Sequence, residues 1–327
     1  MHFHKKLVTL SIVNVLYLYP PPAQADVLID NWYDTYNHTS QKDWNGTCRT
    51  GNNQSPINIR TVNRKKLDEP LSFNGYSSSV AINLEVNAHY IEGQVSKTQR
   101  DGTFINNSDI WINGGGLGAS KFQFHNFHFH WGSTEGQGSE HSINNTYSEM
   151  EMHIVHWNVK AGEDLEDVVK HSTCNNSLAI LAVRFKFGNK NEKLEPLLQE
   201  IKKLSKSNST TTMTMMLKDL LPENTNEFYR YNGSLTSPPC YEIASWTIFT
   251  QLVHISFEQM GIMREENDLS NNYRAIQYLN RREVDLYTME GMPASGTAIK
   301  SIVLRNKYVQ LLAIFIYGKH KLNPLRQ

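Results

Sequence analysis

The sequence predicts a mainly β protein, organised as one domain rich in antiparallel strand pairing. Short segments that alternate apolar and polar residues recur along the chain, and clusters of Gly, Asn and Ser separate them. No internal repeat or low-complexity tract divides the 327 residues, which suffice for one large or two ordinary domains. One domain from residue 44 to 288 is the simplest reading.

The first element is a leader. Lys5 and Lys6 precede "LVTLSIVNVLYLY", and "PPPAQA" then ends in an A-x-A pattern. This is the layout of a signal peptide over 1–25, cleaved after Ala25, which leaves an N-terminal segment over 26–43. The apolar run is shorter than the roughly 17 to 25 residues that a membrane anchor needs. The predicted strands follow: "VAINLEV" at 80–86, "KFQFHNFHFHW" at 121–131, "MEMHIVHWNV" at 150–159, "LAILAVRFKF" at 178–187 and "ASWTIFTQL" at 244–252. "NGGGLG" and "TEGQGSE" have the composition of turns between them. Two charged segments read as helices, "DLEDVVKH" at 164–171 and "EKLEPLLQEIKKL" at 192–204. Residues 289–327 differ from the rest, with a flexible "EGMPASGTA", an apolar "YVQLLAIFIYG" and a basic end. A lipid-anchor signal should finish on its apolar tail. Membrane anchoring is therefore not expected, and this stretch reads as an extension.

Composition excludes several classes. Hydrophobic residues at 39% and aromatics at 10% supply a packed core. The formal charge of zero leaves no basic excess to neutralise phosphates, which argues against nucleic acid as a partner. Loss of Lys5 and Lys6 with the leader takes the 32 basic residues to 30 against 32 acidic, still nearly neutral. Cys48, Cys174 and Cys240 contain no C-x-x-C spacing, so a cysteine metal site is not expected. In an oxidising compartment two of them should pair and one should remain, and the sequence alone allows three pairings. Sequons at Asn37, Asn45, Asn106, Asn144, Asn175, Asn208 and Asn232 agree with a secreted, extracellular glycoprotein.

"FHFHWG" at 127–132 carries the chemistry. A period of two sets His128 and His130 on one face of a strand and Phe127 and Phe129 on the other. Two imidazoles two residues apart have Cα atoms about 6.6 Å apart and can converge on one ion. In "EMEMHIVHW" a neighbouring antiparallel strand offers His153, with Glu151 on the same face to accept that ring's second N–H. Three neutral imidazoles leave one tetrahedral position open, the pattern of catalytic zinc. A lone strand histidine is more often an ordinary core or surface residue. By that standard His38, His125, His156, His171, His254 and His320 read as structural, with His125 and His156 on the opposite face.

Five motifs in order, "QSPINI", "FHFHWGS", "GQGSEH", "MHIVHWN" and "GSLTSPPC", resemble the α-class carbonic anhydrases from Trp44 to Leu286. The resemblance implies that family's fold, a single domain on a large twisted, mostly antiparallel central sheet, α+β by count of its short helices. It implies a zinc lyase that hydrates carbon dioxide reversibly to bicarbonate and a proton by zinc-hydroxide attack. The ligands it implies are His128, His130 and His153. Thr236 and Glu140 match a proton-orienting relay, and His141 matches a buttressing position. His89 in "VNAHY" matches the proton shuttle, although Ala88 and Glu92 depart from the usual Gly and small amide. Val155, Ile180, Leu235, Ser237 and Trp246 match the substrate pocket, where Ala244 replaces a larger aliphatic. Asn126 stands where Gln usually supports the first ligand, so that contact should be lost or bridged by water. The resemblance pairs Cys48 with Cys240, which leaves Cys174 free or bonded to another molecule and the oligomeric state open. The alternative is a catalytically weak extracellular matrix or biomineralisation protein that uses the fold for binding. Such proteins usually carry an acidic or Gly-Asn repeat, and none is present.

Overall fold

The computed structural model of the chain describes residues 38–86, 90–96, 109–204, 209–265 and 271–290. The expected leader, the stretch beyond 290 and His89 lie outside the described residues. The described strands are β1 (Asn58–Ile59), β2 (Asn63–Lys66), β3 (Leu71–Asn74), β4 (Ser79–Val86), β5 (Ile91–Val95), β6 (Trp111–Gly114), β7 (Phe122–Trp131) and β8 (Ser142–Ile143). They continue with β9 (Met150–Asn158), β10 (Leu178–Phe187), β11 (Ser209–Met216), β12 (Phe228–Gly233), β13 (Ala244–Phe249), β14 (Val253–Ile255) and β15 (Asp285–Thr288). Among the described residues four α-helices accompany them: α1 (Thr47–Thr50), α2 (Leu165–His171), α3 (Glu195–Lys203) and α4 (Phe257–Glu265).

Thirteen strands form one sheet, whose main path runs β11-β4-β5-β7-β9-β10-β13-β12-β15-β2. Most neighbours are antiparallel, as the sequence predicts. The sheet is nonetheless mixed, because β10 runs parallel to β13 and β14, and β15 parallel to β2. This explains the unbroken apolar run of "LAILAV". A strand in the middle of the sheet is covered on both faces, and the first eight residues of β10 are all buried. The two charged segments form helices where expected. Asp164 caps α2 by accepting from the Asp167 N–H, and α3 turns Leu197, Leu198 and Ile201 into the core.

The two faces of the sheet have different jobs. One carries the main core, including Phe122, Phe124, Phe127, Phe129 and Trp131 of β7 and Met150, Met152 and Ile154 of β9. These β7 residues change from even to odd numbers, yet all stay on one face. A β-bulge between Phe124 and Asn126 makes this possible: Phe124 pairs with His156, while Asn126 pairs with Val155. Gly93 of β5 lies opposite Phe127, and a Cβ there would fall 2.2 Å from the Phe127 ring. The core therefore requires glycine at this strand position. The second face carries a smaller cluster with Val155, Ile180, Ala182 and Trp246, and the candidate site opens on it.

Candidate metal centre

The site is a ladder of cross-strand neighbours. His128 of β7 stands directly opposite His153 of β9, and His153 opposite Ala182 of β10. One step along, Asn126, Val155, Ile180 and Trp246 line up across β7, β9, β10 and β13. His130, two residues on from His128, completes a group in which one ligand atom from each of His128, His130 and His153 lies within 4.8 Å of the others. His130 Nε2 and His153 Nδ1 are 3.1 Å apart. A tetrahedral ion with bonds of about 2.0–2.1 Å has edges of roughly 3.3 Å.

Each imidazole is held from behind by its other nitrogen. His153 Nε2 donates to Glu151 Oε1 at 2.7 Å. His130 Nδ1 donates to the Asn272 carbonyl at 2.8 Å. His128 Nδ1 meets Asn126 Oδ1 at 3.4 Å. The shorter Asn therefore keeps its contact, but stretched to the edge of hydrogen-bond range. These bonds fix the tautomers, leaving Nε2 of His128 and His130 and Nδ1 of His153 as lone pairs facing one another. Burial, followed by the neighbouring imidazoles, holds His128 well below the usual histidine range. The same causes lower His153, with Glu151 pulling the other way. All of this favours the neutral, metal-binding form.

Glu151 is fully buried and accepts from three donors. Oε1 takes His153 and the His141 Nδ1–H at 2.7 Å, and Oε2 takes the His141 backbone N–H at 2.9 Å. Burial raises this carboxyl, but the histidine contacts win and hold it well below its usual range. His141 Nε2 lies 2.7 Å from Tyr231 Oη, which donates to Ser55 Oγ at 2.8 Å. Ser55 Oγ in turn accepts the Ser234 N–H at 3.0 Å. A buried chain of hydrogen bonds thus runs from a ligand histidine to the loop that carries Leu235, Thr236 and Ser237. The same loop is tied down by the Cys48–Cys240 disulfide, the pairing that the resemblance implied. Cys174 is an exposed free thiol.

Glu140 has no exposed surface, and its Oε1 accepts the Arg274 N–H at 2.7 Å. Its Oε2 has no hydrogen-bond partner, so the expected link from Thr236 is not closed in this structure. Thr236 itself is 7% exposed and lines the cavity.

The cavity has a volume of about 50 Å³. The three histidines, Asn126 and Thr236 line it, as do all five predicted pocket residues, Val155, Ile180, Leu235, Ser237 and Trp246. By the same measure one water needs about 10–15 Å³, so the space admits a small molecule or a few waters. Sequence reasoning missed several contributors. Leu165 and Val169 of α2 add to the apolar wall, and their i, i+4 spacing was the available signal. His38, set aside as structural, lines the cavity. Asn272 and Arg274 carry no motif, yet both brace the site. His125, expected opposite the ligands, is the extra residue of the bulge, and its ring meets Trp157 from the site-side cluster at 6.1 Å. His156 does face the main core.

Comparison with known proteins agrees with this geometry. The profile of the eukaryotic-type carbonic anhydrase family matches residues 38–288. Carbonic anhydrase 4 of Rattus norvegicus is 32% identical over 256 residues, covering 74% of this chain and 77% of the relative. Carbonic anhydrase 4 of Mus musculus matches to the same extent, 32% over 256 residues with 74% and 77% covered. With the profile matching most of the chain and a nitrogen-donor triad at the cavity floor, this protein belongs to the eukaryotic-type carbonic anhydrase family.

Proposed function

We propose that the protein catalyses the reversible hydration of carbon dioxide to bicarbonate and a proton, with a zinc ion held by His128, His130 and His153, and that it works outside the cell. One observation carries this reading. Three imidazoles converge with their outer nitrogens already engaged, so each has one lone pair left for a cation. Three neutral nitrogen donors at this spacing fit zinc. Bound there, zinc supplies a Lewis acid that lowers the pKa of a water to about 7, a figure for which carbonic anhydrase is itself the reference case.

The surrounding residues have definable tasks. Val155, Ile180, Leu235 and Trp246 offer a small apolar substrate a lightly hydrated wall. A buried carboxylate oxygen without a donor costs about 1–3 kcal/mol or more. Glu140 Oε2 is such an oxygen, and the Thr236 hydroxyl is its partner in this reading. With its proton committed to Glu140, that hydroxyl can only accept from the reacting water, which aims the water's lone pair at the substrate carbon. The Thr236 backbone N–H polarises a substrate oxygen, and Ser237 shares the same wall. His89 carries the product proton to solvent, since an imidazole titrates near neutral pH.

An extracellular location has two supports besides the leader-like N-terminus: the disulfide, and the exposed sequon asparagines Asn45, Asn144, Asn175 and Asn232. The test is stopped-flow carbon dioxide hydration on the mature protein, with zinc measured per chain. About one zinc per chain and fast, sulfonamide-sensitive turnover are expected, and His128→Ala should lose both. A zinc-replete chain that hydrates carbon dioxide no faster than buffer would refute the activity.

A further inference from the structure

The main path of the sheet ends on β11 at one side and β2 at the other, and no described strand pairs with the outer side of either. An edge strand offers alternate backbone N–H and C=O groups to whatever lies beside it, so proteins guard such edges with charge, proline or short length. β2 is guarded. It has four residues, all exposed, and three of them are Arg64, Lys65 and Lys66. β11 is not. Its eight residues read Ser-Thr-Thr-Thr-Met-Thr-Met-Met, with no charge and no proline. It pairs with β4 in unbroken register, from Ser209 opposite Val86 to Met216 opposite Ser79, so no bulge turns the edge away. Its threonines suit it to further strand pairing.

The two faces of β11 differ. Thr211, Met213 and Met215 lie opposite Leu84, Ile82 and Val80 on the core side. Thr210, Thr212 and Thr214 lie opposite Glu85, Asn83 and Ala81 on the other side, and Thr210 and Thr214 are exposed. Beside the strand runs a groove of about 210 Å³, whose lining includes Pro196 and Leu197 of α3 with Met213, Met215 and Met216. An added strand sends alternate side chains to the two faces, and this groove can receive one row of them.

The strand that matches this edge is its own copy. A two-fold axis normal to the sheet at Met213 sets Met213 against Met213, Thr211 against Met215, Thr212 against Thr214 and Thr210 against Met216, each pair on one face. Thr–Thr pairs stabilise a ladder, and flexible methionines fill an irregular groove. Within the ladder no charge opposes another, whereas β2 set against its copy would oppose like charges. Asn208, whose sequon ends on Thr210, falls outside the paired stretch. The described chain stops at Glu290, just after β15 at the other end of the sheet, so residues 291–327 start far from this edge.

We propose that two copies of the protein pair edge to edge through β11, antiparallel about a two-fold axis at Met213, so that their sheets become one continuous sheet. The pairing uses up the open edge, which closes the assembly at a dimer.

The test is sedimentation velocity on the mature protein and two double variants, Thr212→Lys/Thr214→Lys and Thr212→Glu/Thr214→Glu. Each double variant sets like charges opposite each other twice across the axis. The wild type should pass from monomer to dimer between about 1 μM and 1 mM. Each double variant alone should stay monomeric over that range, with the circular dichroism spectrum of wild type. An equimolar mixture of the two should recover the dimer, because every Lys then faces a Glu. That recovery requires the strand to meet its own copy, so it separates this pairing from a dimer through any other surface. A wild type that stays monomeric at 1 mM, double variants that dimerise as wild type does, or a mixture that stays monomeric would each overturn the proposal.

Discussion

His156 should make the protein acid-sensitive in a defined pH window. Its ring is fully buried on the core face of β9. Nδ1 donates to the Ala179 carbonyl at 3.2 Å, so Nε2 accepts from Tyr76 Oη at 2.6 Å. The Tyr76 ring lies within 20° of the imidazole plane, its centroid 6.2 Å away, and Phe124 meets the imidazole edge-on. Burial lowers the pKa to about 3, against partial offsets from the Ala179 and Ile154 backbone. The unfolded chain takes up a proton below about 6.5, and the folded protein does not until about 3. Unfolding therefore binds a proton in this range. Stability is complete above pH 6.5 and falls as pH drops toward 3. At pH 5 the loss from this one residue is RT ln(1 + 10^1.5), about 2 kcal/mol.

His156→Phe should remove that loss. It keeps an aromatic ring in the site but strands Tyr76 Oη and the Ala179 carbonyl, so it should cost about 1–3 kcal/mol at pH 8. Urea unfolding of both proteins from pH 8 to pH 5, with the disulfide intact and metal removed, gives the difference curve. The stability gap at pH 8 should narrow by about 2 kcal/mol at pH 5. Curves that stay parallel across this range would show that His156 takes up its proton as readily folded as unfolded, and would refute the assignment.

Three further outcomes follow from the site. Glu151→Gln replaces an acceptor-only group with one that must aim an NH₂ at a histidine N–H, so zinc affinity should fall about 10–100-fold while the fold persists, as chelator competition and circular dichroism would report. Replacing both Cys48 and Cys240 with Ser opens a link between residues 192 apart. A loop-entropy estimate sets the loss at up to about 5 kcal/mol, readable in urea, and turnover should fall with it because the Thr236 loop loses its tether. His89→Ala should slow carbon dioxide hydration mainly in dilute buffer and recover with added imidazole. Full activity without imidazole would reject its shuttle role.

Much of the local structure was legible because strand stereochemistry is local. Side chains alternate by residue, so "FHFHW" and "MHIVHW" announce which histidines share a face with which. The bulge was also written in the chain: apolar residues at 122 and 124 resume at 127 and 129, a spacing that strict alternation cannot satisfy without an extra residue. Glu140 and Thr236 are different. Nothing near either residue marks it as unusual, and only the resemblance singled them out.

The sequence by itself determined the strands, the ligand types and the division of each strand into a core side and a site side, since these depend on neighbours a few residues apart. Only the tertiary structure decided the register that sets His128 against His153 and Glu92 against His128. It alone brought in the Asn272 carbonyl, 142 residues from the ring it supports. It also realised one of three possible cysteine pairings. Contacts of that separation are chosen by which packing of the whole sheet buries the most apolar surface and leaves the fewest buried polar groups unpaired. No short stretch of the chain contains that comparison.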